Sequence, residues 1–443
     1  MTLRAILVLG GVLAFAAPAW AQPSAPPTKS EPLTFYTVKK GDTLWTLASQ
    51  YFIRLPTYDE VRVRNHVRRV RRLKIGLQLE IPTRLLRREP VDARLGAFRG
   101  AVSVTGGGAA GAPSVGMVVG EGAVVTTEGG AFARLDLADG SRVSVPSQSR
   151  LRIDDMHRIL LTGAVERSLT VLSGRSESIV TPLPARQDSY IVKTPVSVSA
   201  VRGTDFRVVY APGDTAASTG VVEGKVGVDG DAGSVVVPVA FGVGVRPGQS
   251  LTVVPLLPSP TVRQPGRVQD EAQVAFDIEA QPGAKGYRMQ LAADAGMLDL
   301  FAEQTAADPH IAFDGLADGD YFVRVTALDP SQIEGLPHIY AFERALNTLT
   351  TQAVASSGQR GARRFLLKWE TGGEGDRTYR VQVTREGAAE GPVIDEGGLK
   401  TTQLTLTNLP PGDYHWQVMS ATARKGRYIE KWSAPQTFTV SAE

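Results

Sequence analysis

Five histidines, His66, His157, His310, His338 and His415, are the first residues to weigh, because imidazole serves both as metal ligand and as general base. They are scattered along the chain. None stands in a His-x-His or His-Glu-x-x-His spacing that would bring two rings onto one metal. Cysteine is absent, which removes thiol nucleophiles, Cys-type zinc sites, disulfides and anchoring through a lipidated cysteine. Gly106-Gly107-Gly108 lacks the following Lys-Ser/Thr of a phosphate loop and reads as a turn. No Gly-x-Ser-x-Gly is present, and acids such as Asp154-Asp155 come with no pocket signal. The expectation is a binding protein with no catalytic residue, no metal ligand and no cofactor.

The elements that would position binding residues divide the 443 residues into several modules. Residues 1–21 read as a cleavable export signal: Arg4, the apolar run Ala5–Ala17, then Ala19-Trp20-Ala21. Pro18 breaks that run before it reaches membrane-spanning length, and no later segment is apolar enough to span a bilayer. Residues 22–32 are a Pro/Ser-rich linker. Residues 33–82 read as a small βααβ unit, 94–254 as all-β, 255–266 as a Pro-rich linker, and 267–347 and 348–443 as two β-sandwiches. The fold class expected is multidomain and mostly β. Residues 22–90 carry 14 Lys and Arg against 6 Asp and Glu, while 91–443 carry 33 against 39. A basic head precedes a mildly acidic body, so the two face different partners.

In the head, Gly41 permits a tight turn, Asp42 or Thr43 can cap the helix that follows, and Leu44, Leu47, Ala48 and Tyr51 share one helical face. The run Tyr36-Thr37-Val38-Lys39-Lys40-Gly41-Asp42-Thr43-Leu44-Trp45, closed by Gly76-Leu77-Gln78-Leu79-Glu80-Ile81-Pro82, resembles the LysM module. The resemblance implies a shallow glycan groove between two loops. One loop is Gly41, Asp42, Thr43 and Leu44; the other is Leu73, Lys74, Ile75 and Gly76. Backbone groups there would recognise the N-acetyl substituent of peptidoglycan. Residues 62–74 hold seven Lys and Arg and no acid. Arg68, Arg69, Arg71 and Arg72 read either as a solvated helix face or as a polyanion contact. Export and the lack of interleaved aromatics argue against nucleic acid.

In the body, Tyr190–Pro195 followed by Val201-Arg202-Gly203-Thr204-Asp205-Phe206 resembles the signature of the FecR domain. The resemblance implies an exported all-β module and an envelope protein partner. Arg202 and Asp205 read as a structural pair around a bulge or close strand approach at Gly203. Farther on, Tyr287-Arg288-Met289-Gln290-Leu291 recurs as Tyr379-Arg380-Val381-Gln382-Val383, and Gly319-Asp320-Tyr321 as Gly412-Asp413-Tyr414. The two repeats resemble fibronectin type III domains, with Tyr321 and Tyr414 as corner tyrosines and Trp416 and Trp432 as core anchors or sugar platforms. Together these readings predict a periplasmic, non-catalytic peptidoglycan-binding protein that serves envelope assembly or sensing. The alternatives are a signalling component acting through a separate membrane partner, and a wall hydrolase or its regulator.

Overall fold

The computed structural model describes residues 31–442 except 110, 184–186, 358–362 and 388–390, so the signal at 1–21 and nearly all of the linker at 22–32 lie outside the described residues. The chain divides into two compact units, with the boundary in the sequence between Arg87 and Arg88. Among the described residues, no helix is long and apolar enough to cross a membrane.

The first unit is built on two antiparallel strands, β1 (Leu33–Thr37) and β2 (Gln78–Pro82), with two helices between them, α1 (Leu44–Tyr51) and α2 (Tyr58–Arg64). Thr43 starts α1 through a reciprocal cap. Its Oγ1 accepts from the Thr46 amide at 3.0 Å, and Thr46 Oγ1 accepts from the Thr43 amide at 3.0 Å. Leu44, Leu47 and Ala48 then turn inward onto Phe52, Val61, Leu79 and Ile81. The basic strip departs from its expected helix. Asn65 ends α2: its amide nitrogen donates to the carbonyls of Val61 and Glu80, each at 2.8 Å, and its oxygen accepts from the Glu80 amide at 2.7 Å. His66 follows with a left-handed φ of 52°, so residues 66–76 form a loop rather than a helix face.

The second unit begins with strands that run from Arg88 to Pro255 around one core, with inward residues from Ala93 to Val245. The hairpin at Asp139-Gly140 forms as its residues dictate: Gly140 has φ 84° and the Asp139 side chain accepts from the Ser141 amide at 3.0 Å. Two sandwiches follow. The first packs the pair Val274–Asp277 and His310–Phe313 over a four-stranded sheet around Phe276 and Met289. The second encloses Trp369 and Trp416. Each repeat places its corner tyrosine alike, with the Tyr321 hydroxyl donating to the Ala317 carbonyl at 3.1 Å and that of Tyr414 to the Pro410 carbonyl at 2.7 Å. Trp416 is therefore core, whereas Trp432 lies at the surface. The Pro-rich stretch 255–266 is not a free joint. Leu256 and Val262 are buried, and the Leu336 amide donates to the Leu257 carbonyl at 2.9 Å.

Candidate functional site

The two loops singled out in the first unit are fastened side by side by backbone hydrogen bonds. The Leu44 amide donates to the Val70 carbonyl at 2.8 Å, the Gly76 amide to Val38 at 2.9 Å, and the Val38 amide to Leu77 at 2.9 Å. Gly41 and Gly76 have φ of 93° and 82°, and a Cβ at either would meet nothing within 4 Å. Glycine is needed at both for the turn, not for space. Asp42 is committed to that turn: its Oδ2 accepts from the Tyr36 hydroxyl at 2.8 Å and from the Lys39 amide at 2.7 Å. Burial, and then the Asp42 carboxylate, push the Tyr36 hydroxyl up to about 12, so this bond stays intact at any physiological pH.

Leu44 has to be corrected from a contact residue to a core residue. Its side chain is fully buried and its amide is taken by Val70. Thr43 spends its hydroxyl on the cap. What the paired loops offer outward is the exposed Lys74 and Ile75, half-buried Leu73, and a residue the spacing argument passed over, Trp45. Trp45 sits in the first turn of α1, off the buried face, with 50% of its surface exposed, and Ile75 has 63%. Following directly on the first of these turns, the exposed indole presents a flat apolar face with a polar N–H at its edge. Its signal in the sequence is its place next to Leu44, off the inward 44–47–48 pattern.

The basic strip also divides. Arg62 pairs with Asp59 at 2.6 Å and Arg64 with Glu31 at 3.0 Å. Arg68, Arg69, Arg71 and Arg72 are exposed on the loop and have no ion-pair partner among the described residues. They stand on the same loop that carries Leu73–Gly76.

In the second unit, Gly203 has φ 103°, and a Cβ there would lie 2.8 Å from the Pro182 Cα, which is the close approach expected. The register shift falls just beyond, between Asp205 and Phe206. Arg202 is exposed at the surface. Burial raises the Asp205 carboxyl, and the cation opposing that rise most is Arg207. Arg207 itself turns into a buried cluster that sequence spacing could not reveal. Arg288 of the first sandwich, with no exposed surface, donates to Glu177 at 2.8 Å, Glu303 at 2.7 Å and Glu334 at 3.0 Å. Arg324 reaches Glu177 at 2.5 Å, Arg175 reaches Glu334 at 3.4 Å, and Arg207 donates to the Gly335 carbonyl at 3.0 Å. Burial alone would raise Glu177. Arg324, Arg288 and Arg207 outweigh it and hold the carboxyl at about 2.

Among the described residues, one group of potential metal ligands converges, Glu121, Asp155 and His157, which the spacing of histidines did not show. Both ring nitrogens of the buried His157 already face carboxylates, Nδ1 on Asp155 and Nε2 on Glu166 at 3.0 Å. Burial works against charging this ring, but the two acids prevail and push it up to about 9. The ring is an imidazolium bridge between neighbouring strands, with Arg88 also beside Asp155 at 3.8 Å. The other histidines stay apart: His310 meets Asp277 at 2.8 Å and His338 the Pro260 carbonyl at 3.0 Å.

With this geometry in place, the family models match twice, "LysM domain" over residues 36–82 and "FecR protein" over residues 123–227. The chain carries a LysM domain and a FecR domain. No curated protein matches it. A crystal structure of a proposed anti-sigma factor from Parabacteroides distasonis is similar over 30% of this chain at 17% identity, with a TM-score of 0.26. This chain spans 59% of that protein's length. A two-domain fibronectin type III segment of chicken tenascin is similar over 42% of this chain and 99% of its own, at 14% identity and TM-score 0.24. The chicken CNTN1 FN1–FN3 domains are similar over 57% of this chain and 98% of their own, at 11% identity and TM-score 0.23. The LysM domain coincides with the paired loops, and the FecR domain with the central strands that supply Glu177 and Arg207.

Proposed function

We propose that this is a non-catalytic cell-envelope protein, exported to the periplasm, that binds peptidoglycan through its LysM domain. The observation that carries this reading is the fastening of loops 41–44 and 73–76 beside an exposed Trp45, on a domain whose family binds glycans. Gly41, Asp42, Thr43 and Leu44 build one side, and Leu73, Lys74, Ile75 and Gly76 the other. The unpaired Arg68, Arg69, Arg71 and Arg72 add attraction to anionic wall or surface polymers. The FecR domain, the first sandwich locked to it and the second sandwich present a surface for envelope assembly or sensing.

A second reading, a regulatory component that signals through a separate membrane protein, is favoured by the FecR domain itself. Cross-linking in intact envelopes followed by purification separates the two. Recovery with wall glycan alone supports the tether, and recovery with a membrane-spanning regulator supports signalling. Co-sedimentation with purified sacculi tests the glycan reading directly: the full chain pellets, and Trp45→Ala leaves it largely in the supernatant. Equal pelleting of the two would remove Trp45 from the site.

A further inference from the structure

Part of the seam between the FecR domain and the first sandwich is sealed: Phe132 of the former is buried against Ala292, Met297 and Leu300 of the latter. Next to this seal the seam opens into a cleft of about 540 Å³ that none of the roles above uses. Residues adjoining the seal line it. Arg99 is set opposite Phe132 by strand register, and Leu291 and Phe301 are chain neighbours of Ala292 and Leu300. Small-molecule sites favour such domain junctions, at volumes of about 300–1,000 Å³.

Phe301 is the extra residue of a bulge. On the paired strand Leu291 faces Ala302 and Ala292 faces Leu300, which leaves Phe301 unmatched on the outermost strand of its sheet. Such bulges re-aim a side chain and are over-represented beside active sites. Here the ring stands edge-on to Tyr321, centroids 5.3 Å apart, with the Arg99 guanidinium over it at 5.1 Å. The ring gives this cation a π face but no carboxylate. The Arg99 side chain makes no hydrogen bond or ion pair among the described residues. Asp299 and Asp314, both exposed, line the same cleft. Asp314 Oδ1 accepts from the Gln273 side-chain amide at 2.9 Å, whereas the Asp299 carboxylate has no partner among the described residues. The loop itself fixes Asp299: its amide donates to Asp294 Oδ2 at 2.7 Å, and its carbonyl accepts from the Ala293 amide at 3.1 Å. One cleft thus holds an unanswered cation and an unanswered acid that do not pair with each other.

We propose that this cleft binds a free α-amino acid with an apolar side chain, taken as the zwitterion. The carboxylate lies against Arg99, the ammonium against Asp299, and the side chain over the floor, where Leu291 and Phe313 are buried. Charge selects this class. The two acids repel a dianion such as phosphate, and Arg99 repels a plain cation, so only a ligand carrying both signs answers both groups. The inference goes beyond the glycan reading and does not depend on it.

Calorimetric titration of the full chain with phenylalanine, phenylalaninamide and N-acetylphenylalanine tests the proposal. The zwitterion binds at least about tenfold tighter than either derivative, the order of effect expected when one charge-assisted contact is lost. Arg99→Gln erases the advantage over the amide and keeps that over the N-acetyl compound; Asp299→Asn does the reverse. Both variants melt as the wild type does, because both side chains are exposed. Equal binding of the three compounds, unchanged selectivity in the two variants, binding of glycine as tight as that of phenylalanine, tighter binding of inorganic phosphate, or no binding of phenylalanine at millimolar concentration would each overturn it.

Discussion

Arginine is used in opposite ways in the two units. On the LysM loop, Arg68, Arg69, Arg71 and Arg72 stand in water with no ion-pair partner among the described residues. Inside the second unit, Arg288 is stripped of solvent and answered by three carboxylates, one of them from the FecR domain. Exposed guanidinium groups cost little to keep and remain available to an external anion. A buried one is tolerable only when every partner is present, so it fixes the geometry of whatever supplies those partners. One unit leaves its charge open to solvent. The other spends its charge on joining two domains.

The largest effect should come from the buried cluster. Arg288→Ala leaves Glu177, Glu303 and Glu334 without their shared cation and should destabilise the second unit by about 3–5 kcal/mol. Calorimetry would show the FecR-domain transition separating from that of the first sandwich. If the variant melts as one unchanged transition, the cluster does not join the domains. The depressed carboxyls set the acid dependence of the same contact. Glu177 and Glu334 titrate lower folded than unfolded, so their contribution is present above about pH 4.5 and is lost as pH falls toward 2.

Next in size is Trp45→Ala. It should lower affinity for N-acetylated glycan by about two- to tenfold, the loss of one aromatic contact of about 0.5–1.5 kcal/mol, and leave melting unchanged because the ring is not core. A smaller effect belongs to His157. Its ring titrates near 9 folded against 6.5 ordinarily, so its stabilisation is complete below about pH 6.5 and fades as pH rises through 9. Melting temperature should fall over that window in the wild type and stay flatter in His157→Gln. The smallest effect on folding is that of replacing Arg68, Arg69, Arg71 and Arg72 together by Gln, within about 0.5 kcal/mol. That variant should nevertheless lose salt-sensitive binding to anionic polymers. Binding that keeps its salt dependence would assign these arginines to plain solvation.

Residues whose roles are local were legible in the sequence. The Thr43 cap, the Asp139-Gly140 hairpin, the close approach at Gly203 and the two corner tyrosines all depend on neighbours a few residues away or on one strand crossing. Leu44 was misassigned because a loop residue and the first core residue of a helix look alike until the helix start is fixed. The basic strip was given a helical alternative because charge spacing carries no trace of Asn65 turning the chain onto β2. The Arg288 cluster was out of reach for a different reason. Its bond to Glu177 spans 111 residues and that of Arg324 spans 147, and no spacing rule links residues so far apart. The Pro-rich stretch at 255–266 likewise read as a spacer, although Leu256 and Val262 are anchored in the packed body.

The central claim is that glycan recognition resides in the LysM unit and nowhere else in the chain. Calorimetric titration of the N-acetylglucosamine tetramer into the full chain, and into residues 88–443 alone, tests it most directly. The account predicts weak, saturable binding to the full chain, because a single shallow module gains no avidity, and no heat of binding to 88–443. Binding of equal strength to residues 88–443 would contradict it.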